Sequence, residues 1–269
     1  MCSVSWLVDE GGYQVFFNRD EQKSRALALP PTQLQVSGVE VLMPVDPVGN
    51  GSWISMNEFG LSLCLLNNYQ GVMPCQSLKT EASHEGILLD GSIMQGSLVS
   101  RGLLLKHLSS CVNSQQVKEA FVMLNLNQFA PFTLLVFDSQ LNSQNPSVQA
   151  LEWDGRHSSI HNTDCPLFSS SVDLNAVSAY RLQVYQSLTK QGKSTESLLA
   201  FHTHHHASQP HMSTCMHRDD AQTVSFTHLR VEGGIQRMAY VPGSPCENLN
   251  SQTLEQHIYQ LRAATSLVS

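Results

Sequence analysis

Residues 1–22 read MCSVSWLVDEGGYQVFFNRDEQ, and this stretch decides the fold. From Ser3 to Val8 polar and apolar residues alternate, with β-branched content, at the period of a strand. Asp9-Glu10-Gly11-Gly12 is a turn signal, and Gly-Gly is a common hairpin connector. Tyr13 to Phe17 then reads as the returning strand. A hairpin folded about that turn carries Asn18, Arg19 and Asp20 back alongside Cys2 without any long-range assumption.

Cys2 stands directly after the initiator methionine, which is normally removed before a residue this small. The processed chain then starts with a thiol and a free α-amino group on one residue. Their unperturbed pKa values are about 8.5 and about 7.7–8.0, so a nucleophile and a base near working pH share one carbon skeleton. Arg19 places a fixed cation beside the thiol, which favours the thiolate. Asp20 can hold the α-amine by a charge-assisted hydrogen bond. Without Cys2, the Arg19-Asp20 pair would read as a hairpin-end ion pair of little weight.

Further along, residues 24–35 contain Pro30-Pro31 and read as extended loop. Val39–Met43 reads as a strand. Residues 53–56 and 61–66 form a second hairpin across Asn57-Glu58-Phe59-Gly60, and Asn67-Asn68-Tyr69 follow its apolar second strand. Helices are expected over 97–108, 114–124, 174–189 and 194–201; in the third, Val177, Tyr180, Val184 and Leu188 share a face. Strands are expected over 132–137, 148–153, 223–231 and 235–241, the last two joined at Gly233-Gly234. Leu254, Ile258 and Leu261 suggest a terminal amphipathic helix. No repeat or long linker divides the chain, so residues 1–269 read as one domain. Strands, helices, strands and a final helix suit an α+β layered fold better than a parallel βαβ sheet.

Asn67, at the end of a core strand, can donate its side-chain amide to an oxyanion, and Asn68 fits equally well on spacing alone. Arg218 could bind a substrate carboxylate; Asn18 and Asn68 are further substrate-binding candidates. His202, His204, His205, His206, His211 and His217 invite a metal, with His204 and His206 on one face of a strand. Yet no Cys or carboxylate spacing near them matches a standard zinc site. They read as a polar loop with adventitious affinity, and no metal or other cofactor is assigned.

A net charge of −7, with no run of Lys and Arg, excludes a nucleic-acid binder with a clustered basic face. Seven scattered cysteines without a CxxC pair suit reduced thiols in a cytoplasmic protein. No secretory signal and no apolar stretch approaching the ~20 residues of a membrane span is visible.

The Cys2 start, FFNRDE and WISMNEFGLSLCLLNNY resemble the NRDE family, also called the transport-and-Golgi-organisation-two-like family. CMHRDDAQTVS, from Cys215 to Ser225, looks like a further signature. That family is similar to N-terminal nucleophile hydrolases of the choloylglycine hydrolase type. The resemblance implies a four-layer αββα sandwich, with Cys2 as nucleophile, Arg19 as activator and Asp20 as the orienting acid. It favours Asn67 over Asn68 as oxyanion donor. The expected function is an N-terminal-cysteine amidohydrolase cleaving a linear, non-peptide C–N amide. The main alternative is a non-catalytic protein that binds or traffics haem or another hydrophobic ligand, with the His-rich segment and Cys215 as candidate ligands. A metal-dependent hydrolase built on the histidines is a third. The expected partner is a small-molecule amide or hydrophobic ligand, and self-association into a homo-oligomer stays open.

Overall fold

The hairpin expected from the first residues forms. In a computed structural model, which describes residues 2–74 and 98–262, β1 (Cys2–Val8) pairs antiparallel with β2 (Gly12–Gln22), and Cys2 stands opposite Arg19. The second strand runs past Phe17, so the whole FFNRDE motif lies on it. At Gly12, with φ +148°, an added Cβ would lie 2.1 Å from the Val231 carbonyl oxygen; only glycine lets this turn press against its neighbour.

The chain continues through β3 (Leu29–Val36), β4 (Val39–Val45), β5 (Ile54–Asn57) and β6 (Ser62–Asn67). Helices α1 (Arg101–Leu108) and α2 (Ser114–Met123) follow, then β7 (Phe132–Phe137), β8 (Val148–Trp153), β9 (Ser158–Thr163) and β10 (Leu167–Ser169). The remainder is α3 (Leu174–Leu188), α4 (Thr195–Thr203), β11 (Ala221–Glu232), β12 (Ile235–Pro242), the short helices α5 (Pro245–Asn248) and α6 (Ser251–Gln256), and β13 (Ile258–Arg262).

Two antiparallel sheets result, in the orders β10-β1-β2-β11-β12-β13 and β3-β4-β5-β6-β7-β8-β9. Side-chain alternation gives each sheet two apolar faces, and three buried clusters follow. Between the sheets, Val4, Trp6, Val15 and Phe17 meet Ile54, Met56, Leu135 and Phe137. Phe137 stacks on Tyr13 and takes Trp6 edge-on, both at 5.6 Å. The outer face of the second sheet, with Leu63, Leu65 and Leu134, packs on α1 and α2 through Leu104, Leu108 and Phe121. On the first sheet, Phe16, Phe226 and Val241 pack on α3 and α4 through Tyr185, Leu198 and Phe201. The layers therefore run αββα.

Several expectations are corrected. Residues 24–35 are not loop throughout: Leu29–Val36 forms the edge strand β3, and a register shift between Leu29 and Thr32 accommodates Pro30-Pro31. The terminal helix stops at Gln256; Ile258–Arg262 instead pairs with β12, and Leu261 enters the inter-sheet core. α3 buries Val177, Arg181 and Tyr185, whereas Leu188 is exposed. β9 and β10 were not anticipated. α1 begins at Arg101 rather than 97, and residue 97, like Met1 and Cys75, lies outside the described residues. Among the described residues no helix is long and apolar enough to cross a membrane.

Candidate active site

β1 and β2 are buried on both faces, and the pleat sorts their side chains into two environments. Cys2, Val4 and Trp6, with Tyr13, Val15 and Phe17, turn between the sheets. Ser3, Ser5 and Asn18 turn towards the helices. There Arg181 Nη1 donates to Ser3 Oγ at 2.7 Å, and Ser5 Oγ lies 2.9 Å from His202 Nε2. Asn18 Nδ2 donates to the carbonyls of His202 and Thr214, leaving its Oδ1 to accept from His202 Nδ1 at 3.0 Å. That network holds His202 neutral, and burial pushes its pKa down to about 3.

Cys2, only 9% exposed, lies on the wall of a cavity of about 290 Å³ that Arg19, Asp20, Trp53, Asn67 and Arg101 also line. The Arg19 guanidinium sits 4.1 Å from the centroid of the Trp53 ring. Its Nη2 is 3.2 Å from Glu21 Oε2 and 3.8 Å from Asp46 Oδ2. Asp46 in turn holds Arg25 Nη2 at 2.5 Å. The cation is therefore fixed but shared. Burial pushes the Cys2 thiol up, and Arg19 only partly offsets it.

Asp20 receives the Thr223 hydroxyl at 2.6 Å on Oδ1 and has Arg181 Nη2 3.7 Å from Oδ2. Burial raises its pKa, and Arg181 is the largest opposing influence. Thr223 Oγ1 also accepts the Met216 N–H at 2.8 Å, so the turn before β11 braces the acid.

Asn67, the last residue of β6, donates one amide hydrogen to Tyr69 Oη at 3.0 Å and keeps a second N–H. Asn68 closes a turn by accepting from Gln70 and Gly71, and it lines a neighbouring cavity. Arg218 pairs with Asp220 at 2.7 Å and lines a third, away from Cys2. Asn18 is consumed by the helix-side network. Cys2, Arg19, Asp20 and Asn67 thus share one cavity; Asn18, Asn68 and Arg218 are not among its lining.

The histidine segment departs from the sequence reading. His202 is buried within α4, His204 caps that helix, and His206 lies in the turn beyond, so no strand face carries His204 and His206.

Sequence reasoning missed Trp53, Arg101 and Arg181 as site residues. Arg101 donates from Nη1 to the Pro131 carbonyl at 2.8 Å, and burial lowers its pKa. It reaches the cavity because Gly51 and Gly102 let two backbones touch: a Cβ on Gly51 would sit 2.2 Å from the Gly102 carbonyl carbon. No local pattern announces that contact. For Arg181 a signal existed, a cation at i+4 from Val177 and i−4 from Tyr185 on one helical face.

The family model for Transport and Golgi organisation 2 matches residues 1–224. The chain belongs to that family. Comparison with curated proteins finds no match. The chain's fold has solved counterparts. Penicillin V acylase from Agrobacterium tumefaciens is 9% identical, with 98% of each chain covered and a TM-score of 0.52. The Caenorhabditis elegans N-acylethanolamine-hydrolyzing acid amidase ortholog is 10% identical, with 96% of this chain and 99% of that one covered and a TM-score of 0.50. At such identities the likeness shows the fold alone, the αββα sandwich of N-terminal nucleophile hydrolases.

Proposed function

We propose that the protein is an N-terminal-cysteine amidohydrolase that cleaves a linear, non-peptide C–N amide, with Cys2 as nucleophile once Met1 is removed. The observation that carries this reading is the Cys2 sulfur on the wall of an arginine-lined cavity, with Arg19 opposite it in the hairpin register. An acylase and an N-acylethanolamine-hydrolysing amidase among the fold's counterparts support it.

The chemistry starts from a thiol whose ionised form burial disfavours. The freed α-amine of Cys2 takes the thiol proton as sulfur attacks the amide carbon. Asn67 Nδ2 and backbone N–H groups stabilise the resulting oxyanion. The α-ammonium returns the proton to the leaving nitrogen, the C–N bond breaks, and a thioester remains. Water then attacks the thioester with the amine again as base, releasing the carboxylic acid and restoring the thiol. Arg19, held by Trp53, Glu21 and Asp46, keeps the developing negative charge beside a cation that cannot swing away. No cofactor takes part.

A cavity of about 290 Å³ bounded by Arg19, Arg25 and Arg101 suits the polar head of a small amide better than a macrocycle such as haem. Every described cysteine is free, which supports a cytoplasmic setting.

The test pairs intact mass with mutagenesis. The active protein should lack Met1, and Cys2→Ser and Cys2→Ala should both lose turnover and labelling by an electrophilic acyl probe, with an unchanged unfolding midpoint. Undiminished turnover in both variants, or full activity with Met1 retained, refutes the mechanism.

A further inference from the structure

Away from the Cys2 cavity, three segments bring nitrogen and sulfur ligands together. His205 follows α4, Cys215 and His217 precede β11, and Cys246 lies in α5. Cys246 Sγ is 3.2 Å from His217 Nε2, and Cys215 Sγ is 3.6 Å from the same nitrogen. The His205 ring stands edge-on to His217 at 4.5 Å between centroids. One ligand atom each from His205, His217 and Cys246 can be chosen so that all lie within 4.8 Å of one another. Zinc–sulfur bonds near 2.3 Å and zinc–nitrogen bonds near 2.0 Å put tetrahedral ligand atoms about 3.5 Å apart. The two sulfur–His217 spacings already match that figure; His205 must close in by up to about 1 Å, and Cys215, outside the three-ligand group, reaches the ion from beside His217.

The surroundings prepare these ligands. His205 Nδ1 is 3.2 Å from the Cys215 carbonyl, which can only accept, so the proton sits on Nδ1 and Nε2 keeps a bare lone pair. A backbone carbonyl orienting a histidine in this way is the usual support behind a metal ligand. The Cys246 N–H points at Cys215 Sγ at 3.5 Å, which fixes that sulfur against α5.

We propose that His205, His217, Cys215 and Cys246 form a binding site for one thiophilic d¹⁰ cation, Zn²⁺ by the two-nitrogen, two-sulfur donor set. Binding releases the two thiol protons, and the neutral imidazoles coordinate through their lone pairs. None of the four residues lines the Cys2 cavity, so the ion is structural. It fastens the segment after α4 and the turn before β11 to α5. Met216, between two of the ligands, donates to Thr223, which holds Asp20. The ion therefore stiffens the support of the acid without touching the cavity.

The experiment uses the full, untagged chain, reduced and stripped of metal, titrated with Zn²⁺ against a chromophoric chelator and separately with Co²⁺. One equivalent should bind, raise the unfolding temperature and, with Co²⁺, give a thiolate-to-metal charge-transfer band. His205→Ala, at an exposed position that does not threaten folding, and Cys246→Ser should each weaken binding by at least about tenfold. Cys246→Ser should also diminish the cobalt band, and His206→Ala, outside the cluster, should bind as the parent does. The absence of stoichiometric binding, or parental affinity in both His205→Ala and Cys246→Ser, overturns the proposal.

Discussion

Replacing Arg181 by methionine strips the charge from a side chain that is fully buried in α3 yet faces three polar partners. Its Nη2 lies 3.7 Å from Asp20, its Nη1 donates to Ser3 at 2.7 Å, and its Nε donates to the Met212 carbonyl at 3.2 Å. Methionine nearly fills the volume, so the dominant effect is the stranded carboxylate. Breaking a buried pair from one side costs about 3–5 kcal/mol, a large share of the ~5–15 kcal/mol typical of a folded domain. Asp20→Asn strands the guanidinium instead and should cost a similar amount. The double variant carries neither charge, so its loss should be close to that of one single variant, a coupling of about 3–5 kcal/mol. Urea unfolding with unchanged m-values measures all three. Acidification adds a check of sign. Burial already raises the Asp20 pKa, and Arg181 opposes that rise. In Arg181→Met the carboxyl is raised further, and the deficit relative to the parent should shrink as pH falls from neutrality towards the ordinary carboxylate range, where a proton replaces the cation. Single-variant losses that add within about 0.5 kcal/mol would show that the two side chains do not depend on each other, and the reasoning fails.

Two further outcomes follow from other side chains. His202 is neutral in the folded state with a pKa of about 3, against about 6.5 unfolded. Its contribution is complete above pH 6.5 and falls as the unfolded chain takes up a proton, by about 2–3 kcal/mol between pH 6.5 and 4.5; denaturation against pH should show a shallower loss in His202→Gln. Asn67→Ala should lower kcat about 10²–10³-fold on an amide substrate while leaving the urea midpoint within error; an unchanged kcat removes Asn67 from the oxyanion site.

Local physics made much of the fold legible. The hairpins at 3–17, 53–66 and 223–241 have strand-length apolar or alternating runs joined by glycine-containing turns, signals that survive any tertiary context. Cys2 and Arg19 were placed together for the same reason, since a hairpin register needs only its turn. Where the sequence reading failed, a distant neighbour decided. Pro30-Pro31 argues against a strand unless the strand is an edge, and β3 is one. Ile258–Leu261 fits a helical stripe as well as a strand, and the open flank of β12 selects the strand. β9 is almost wholly exposed, so it carries no apolar signature. In the site, Trp53 beneath Arg19 and Arg101 across the Gly51–Gly102 contact come from other elements. His205 and Cys246 lie forty-one positions apart, beyond the span of any spacing rule applied to the histidines alone.

The two-sided burial of the opening strands ties reactivity to the length of one turn. Because neighbouring side chains face opposite layers, adding or deleting one residue between Val8 and Tyr13 would exchange the contents of the two compartments. The sulfur would then confront Ser3's present surroundings near Arg181, and hydroxyls would look into the arginine-lined hollow. Cys2 is thus addressed by counting: the Asp9–Gly12 corner acts as the ruler that decides which chamber its side chain enters.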